Sequence, residues 1–240
     1  MLILGRSTRL TVSWICALGN CARTSLTITQ PKSRPSAHVP ATARVGRLTS
    51  TADAELVAYL QRVLGYALTG VTTEHALFFC YGTGANGKGV TINTAAGILK
   101  DYAQTASVET FTASHTDRHS TELAALRGAR LVTVAETEEG RRWAESRIKT
   151  LTGGDSIRAR FMRQDEFEFI PQLKLLISGN HKPGLRSVDE AIRRRFHLIP
   201  FTITLPSEER DPELAEKLKA EWPAILGWMV EGCLAWQREG

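Results

Sequence analysis

Residues 75–99 read His-Ala-Leu-Phe-Phe-Cys-Tyr-Gly-Thr-Gly-Ala-Asn-Gly-Lys-Gly-Val-Thr-Ile-Asn-Thr-Ala-Ala-Gly-Ile-Leu. The first part, His75–Tyr81, is a short continuous apolar run. Such runs suit a strand buried on both faces of a parallel sheet. The last part, Val90–Leu99, reads as a helix. Between them, Gly82-Thr83-Gly84-Ala85-Asn86-Gly87-Lys88 has the spacing Gly-x4-Gly-Lys of a phosphate-binding loop. Gly82, Gly84 and Gly87 permit positive φ and a close approach of backbone to ligand. Inward-pointing N–H groups and the following helix N-terminus then form an anion site. Lys88 is placed to reach the β- and γ-phosphates. Residues 82–90, through Gly89 and Val90, are the expected nucleotide contacts. The motif usually continues with a Ser or Thr whose hydroxyl holds Mg²⁺, and Gly89 stands there instead. Thr91 lies two residues further on, so magnesium is expected to depend on water and acidic groups.

Outward from this stretch, buried-strand and helix patterns alternate. Leu56, Tyr59, Leu60, Val63, Leu64 and Leu68 recur at helical spacing before the first strand. Leu131–Ala135 reads as a second buried strand, Arg142–Leu151 as a helix, and Leu173–Ser178 and Phe196–Phe201 as further strands. Ile157–Met162 and Glu166–Ile170 alternate around Arg163-Gln164-Asp165, which predicts a hairpin. From Asp211 onward the pattern is helical. Strands separated by helices predict a three-layer α/β domain around a mostly parallel central sheet, with a protruding β-hairpin. The expected organisation is a disordered basic extension over 1–48, a helical lead-in over 53–72, a P-loop ATPase core over 73–205, and a C-terminal helical segment over 206–240.

Charge divides along the same lines. Seven of the 30 Lys and Arg residues and none of the 25 acids fall in residues 1–48, so the remainder holds 23 basic against 25 acidic side chains. The net charge of +5 therefore describes the first 48 residues and carries no nucleic-acid argument for the domain. The four cysteines lack zinc-finger spacing and suggest no disulfide framework, which fits a reducing cytoplasm. No apolar run reaches the roughly 18 residues that span a bilayer.

Four further features point to chemistry. Glu136 follows the strand Leu131–Ala135, and a carboxylate at the C-terminal edge of a parallel strand faces the ligand crevice. It is the expected residue for Mg²⁺ or for polarising the attacking water; Glu138 and Glu139 read more as a solvated acidic turn. Asn180 ends the strand Leu173–Ser178 and is placed to orient that water. Arg193, Arg194 and Arg195 either form a solvated face or supply a charge to a neighbouring subunit's site, Arg194 first and Arg195 close behind. On the hairpin, Arg158 and Arg160 share one face and Arg163 sits at the turn, a pattern suited to sequence-independent phosphate contact.

In this order the motifs resemble the helicase domain of superfamily 3, in the branch of phage and plasmid primase–helicases that includes the poxvirus primase–helicases. The matching stretches are Tyr59–Gly70, Gly82–Lys88, Ala129–Glu138, Ile148–Arg160, Lys174–Pro183 and Ala191–Phe201. The resemblance implies an AAA+-like ATPase, normally a hexameric ring, that uses ATP and Mg²⁺ to unwind DNA during replication, with single-stranded or forked DNA as its partner. By matching position, Lys88 is similar to the Walker A lysine, Glu136 to the Walker B acid, Asn180 to the sensor asparagine and Arg194 to the arginine finger. Lys149, Asp155, Arg158 and Arg160 fall in the stretch associated with DNA contact. A full-length member would carry a primase domain upstream and an extension downstream, so a fragment or truncated product is expected and primase activity is not. Two other readings compete. One is a small-molecule kinase with an arginine lid. The other is a truncated or degenerate P-loop protein that binds nucleotide or DNA without productive unwinding.

Overall fold

The computed structural model describes residues 53–112, 120–135, 143–181 and 189–240. The basic segment 1–48 and the acids Glu136, Glu138 and Glu139 lie outside the described residues. The described chain begins at a helix cap. Asp53 accepts from the amides of Glu55 and Leu56 at 3.0 and 3.3 Å and starts helix α1, Ala54–Ala67.

The elements that follow are β1 (Leu77–Tyr81), α2 (Lys88–Leu99), β2 (Ala103–Ser107), α3 (Ser120–Ala125), β3 (Leu131–Ala135) and α4 (Glu145–Gly153). Then come β4 (Ile157–Ala159), β5 (Phe167–Phe169), β6 (Lys174–Gly179), α5 (Glu190–Arg193), β7 (Phe196–Pro200) and α6 (Leu214–Glu239). Five strands form one sheet in the order β2-β3-β6-β1-β7, and all four pairings are parallel. β4 and β5 form the separate antiparallel hairpin. This is an α/β fold of the P-loop NTPase type.

Side chains alternate across a strand, so the apolar run of β1 feeds two cores. Leu77 and Phe79 join one with Val132, Val134, Leu175, Ile177, Trp143, Ile148 and Leu151. Phe78 and Cys80 join the other with residues of α1, α2 and α6. Full burial of each large side chain stabilises by about 1.5–3 kcal/mol. On the second face α1 and α6 cross in backbone contact. A Cβ at Gly65 would lie 2.1 Å from Cys233 N, and one at Gly232 would lie 2.0 Å from Gln61 O. Only glycine permits that approach.

The structure departs from the sequence expectations at β2. Its residues, Ala-Gln-Thr-Ala-Ser, are polar or small because the strand sits at the sheet edge with little burial. The hairpin strands are shorter than the alternation suggested, because residues 160–166 form the connection. No described helix is long and apolar enough to cross a membrane.

Candidate functional site

The strand register sets the site. Tyr81 pairs with Gly179 and Ala135 with Ser178, so β1, β6 and β3 end at one edge of the sheet. The phosphate loop leaves β1 there. Gly84, Ala85 and Gly87 have φ of 97°, 48° and 76°, and the left-handed Gly87 caps α2. Gly82 is required for a different reason: a Cβ would lie 1.9 Å from Phe201 O.

Lys88 is buried at the base of the loop. Its Nζ donates to Gly82 O at 2.9 Å and to Gly179 O at the end of β6. Burial holds its pKa below the usual lysine value. Burial also pushes the neighbouring Cys80 thiol up to about 12, so that thiol stays protonated and unreactive. Lys88 thus joins the loop to the strand that delivers Asn180, which is exposed one residue beyond Gly179. Glu136 follows Ala135 in sequence and lies outside the described residues.

For a metal, the described residues offer little. Thr91 Oγ1 donates back to Gly87 O at 3.0 Å and is committed to its own helix. Gly89 is exposed, and a Cβ there would meet nothing within 4 Å. Among the described residues no group of three or more His, Cys, Asp or Glu could hold a metal ion.

The arginines lie at the other edge. Leu77 N–H donates to Arg195 O at 2.7 Å, which fixes the arginine turn beside the start of β1. A five-residue strand separates that turn from the phosphate loop, a span of about 16 Å at 3.3 Å per residue. The three arginines differ in their engagement. Arg193 pairs with Glu190 at 3.7 Å. Arg195 turns inward, donating to Thr152 Oγ1 at 3.2 Å and Ala191 O at 2.8 Å. Arg194 is exposed and makes no side-chain hydrogen bond or ion pair among the described residues. The structure therefore separates Arg194 and Arg195, which the sequence grouped.

The expected nucleic-acid residues are likewise unequal. Lys149 is paired with Asp189, whose carboxylate also accepts from Ile192 N–H at 2.8 Å. Those hydrogen bonds, Lys149's foremost, hold the Asp189 pKa below the carboxylate norm. Arg158 pairs across the hairpin with Glu168 at 3.1 Å and approaches Glu166 at 3.9 Å. Arg160 and Arg163 are exposed, and Arg163 turns the chain at φ 61°. The hairpin also carries an apolar tip that charge reading missed. Phe161 stacks on Phe167 at 5.5 Å, Arg127 lies 5.0 Å from the Phe167 ring centre, and Met162 is 76% exposed.

Comparison with known proteins adds the following. Residues 80–195 match a family of unknown function (DUF5906). The chain is 29% identical over 171 residues to a protein named "Putative helicase" from Acanthamoeba polyphaga mimivirus, a match that covers 70% of this chain and 18% of that protein. It is 28% identical over 184 residues to another of that name from Frog virus 3 (isolate Goorha), covering 69% and 19%. The chain thus spans about a fifth of the length of these curated relatives. The apo C-terminal region of NrS-1 superposes with a TM-score of 0.64 over 83% of this chain and 47% of that chain. At 14% identity, what the two share is the fold.

Proposed function

We propose that this chain is the motor domain of an ATP-hydrolysing DNA helicase of the superfamily 3 type, with ATP sites shared between subunits of a ring. The observation that carries the reading is Lys88, buried at a glycine-rich loop on a parallel strand and bonded to the end of the strand that delivers Asn180. The names of the viral relatives supply the nucleic-acid part.

In this reading the loop amides and the α2 N-terminus bind the phosphates, and Lys88 neutralises the β- and γ-oxygens. Asn180 orients the attacking water. The carboxylate of Glu136 would hold Mg²⁺ or polarise the nucleophile, and the ion would supply charge stabilisation at the phosphates. Gly89 supplies no side-chain oxygen to the ion. Arg194 lies a strand's length from its own Lys88, so it serves a neighbour's γ-phosphate. A closed ring follows from that requirement, because a heterologous ring gives every site an arginine; a hexamer is the size the resemblance implies. Arg160, Arg163 and the exposed Phe161 track the DNA, with Lys149 and Arg158 held in position by their acidic partners.

ATP turnover measured with and without single-stranded DNA tests this. Native chain should hydrolyse ATP faster with DNA, and Lys88→Ala should be inactive in both conditions. Turnover that DNA does not change, from a chain that stays monomeric with ATP and Mg²⁺, contradicts the helicase reading.

A further inference from the structure

The segment that leaves β7 lies against the phosphate loop. Phe201 N–H donates to Tyr81 O at 2.7 Å, and Leu205 N–H donates to Ala85 O at 2.8 Å. Between these bonds the Phe201 carbonyl enters the loop closely enough to exclude any side chain at position 82. There it accepts a hydrogen bond from Asn86 Nδ2 at 2.7 Å. The other end of the same amide, Asn86 Oδ1, accepts from Lys88 N–H at 3.3 Å. Asn86 is 2% exposed. Its amide is thus spent on main-chain partners inside the protein.

The residue before it explains why such a tie is needed. Ala85 sits at φ 48°, in the left-handed region. That conformation costs a residue with a Cβ about 1–2 kcal/mol, whereas the flanking Gly84 and Gly87 adopt it freely. Leu205 bonds the carbonyl of this strained residue, and Asn86 fixes the next one. The loop is held in its shape from outside as well as by its own glycines.

We infer that Asn86 is a positioning residue: its amide fastens the phosphate loop to the segment after β7 and, with the Leu205 bond, keeps the loop in its anion-binding shape. The inference rests on the proposed nucleotide-binding role of the loop. It also joins the loop, through the single strand β7, to the turn that carries Arg194.

Titration of the full chain with a fluorescent ATP analogue, in parallel with ATPase kinetics, provides the test. Asn86→Ala leaves the buried Phe201 carbonyl without that donor. Kd and KM should rise about tenfold, while kcat at saturation stays within about twofold, the pattern of lost ground-state binding. Adding Ala85→Gly should recover about threefold of the loss, because glycine relieves the left-handed strain. A role in folding alone would lower the urea midpoint and the active fraction without moving the Kd of the folded fraction. Native affinity in folded Asn86→Ala overturns the inference. If Asn86→Ala does not fold, Asn86→Asp replaces it: the acceptor for Lys88 N–H remains, the donor to Phe201 is lost and a negative charge is added beside the phosphates, so a rise above about tenfold is expected. Unchanged Kd in Asn86→Asp likewise overturns the positioning role. A native chain that does not bind the analogue, or a Lys88→Ala chain that binds it as tightly as native, overturns the nucleotide reading itself.

Discussion

Two lysines are buried against main-chain carbonyls at opposite ends of β6. Lys88 reaches the C-terminal end, where it bonds Gly179 O and Gly82 O. Lys174 is the first residue of the strand and bonds Thr69 O and Thr69 Oγ1 just beyond α1, and Gln172 O just before its own strand. Its ammonium also lies 4.5 Å from the Tyr66 ring centre. Both are desolvated, and burial lowers the pKa of both. They differ in what surrounds them. Lys88 stands beneath a loop with three residues in the left-handed region and a helix N-terminus above it. Lys174 faces carbonyls, a hydroxyl and an aromatic ring, with the Cys233 thiol and Arg130 nearby, and Arg130 bonds Leu68 O. In the proposed reading the same chemistry serves a ligand at one edge, and it holds a helix end at the other.

The strongest way to break this contrast is to remove Lys88. Lys88→Ala should reduce ATP turnover by at least about a hundredfold, since a preorganised charge at the phosphates is lost. Its urea midpoint should stay close to native. A variant with native turnover would place the two lysines in one structural class.

Lys174 should reveal itself through pH instead of activity. Its folded-state pKa is lowered to about 7 from 10.5. Above pH 7 the folded chain has released a proton that the unfolded chain still holds, so stability rises with pH across that window and is flat below it. The slope should approach about 1 kcal/mol per pH unit. Urea midpoints between pH 7 and about 8.5, below the range in which unfolded cysteines ionise, should show the rise in the native chain and a smaller rise in Lys174→Met. An identical slope in both would assign it elsewhere.

These two lysines also mark what the sequence could disclose. The loop was legible because its function demands glycines and a lysine at fixed local spacing. Lys174 was one polar letter inside an apolar strand, and its partner Thr69 is 105 residues away. Asn86 was read as a member of the loop, but its side-chain role depends on Phe201, 115 residues on. The parallel sheet was legible from continuous apolar runs. β2 was not, because an edge strand need not be apolar on both faces. The arginine run was legible as a group, and only the turn geometry separates exposed Arg194 from inward Arg195.

A smaller effect sharpens the comparison on the hairpin. Arg163 is exposed at the hairpin turn, whereas Arg158 is held by Glu168 and Glu166. Arg163→Ala should lower the salt slope of single-stranded DNA binding by about one contact, and Arg158→Ala by less. Equal effects would mean that the ion pairs do not restrain Arg158. The smallest effect is expected at Gly89, where an added Cβ meets open space. Gly89→Ser should leave stability unchanged or raise it by about 0.3 kcal/mol. Its turnover in Mg²⁺ should remain within a few-fold of native.

In the proposed ring each ATP site combines Lys88 of one subunit with Arg194 of the next. Mixing Lys88→Ala chains with Arg194→Ala chains tests it directly. Each variant alone should be inactive, and the mixture should regain DNA-stimulated ATP turnover, because some interfaces then pair an intact Lys88 with an intact Arg194. A mixture as inactive as its components, under conditions where the two chains co-assemble, would contradict the shared site.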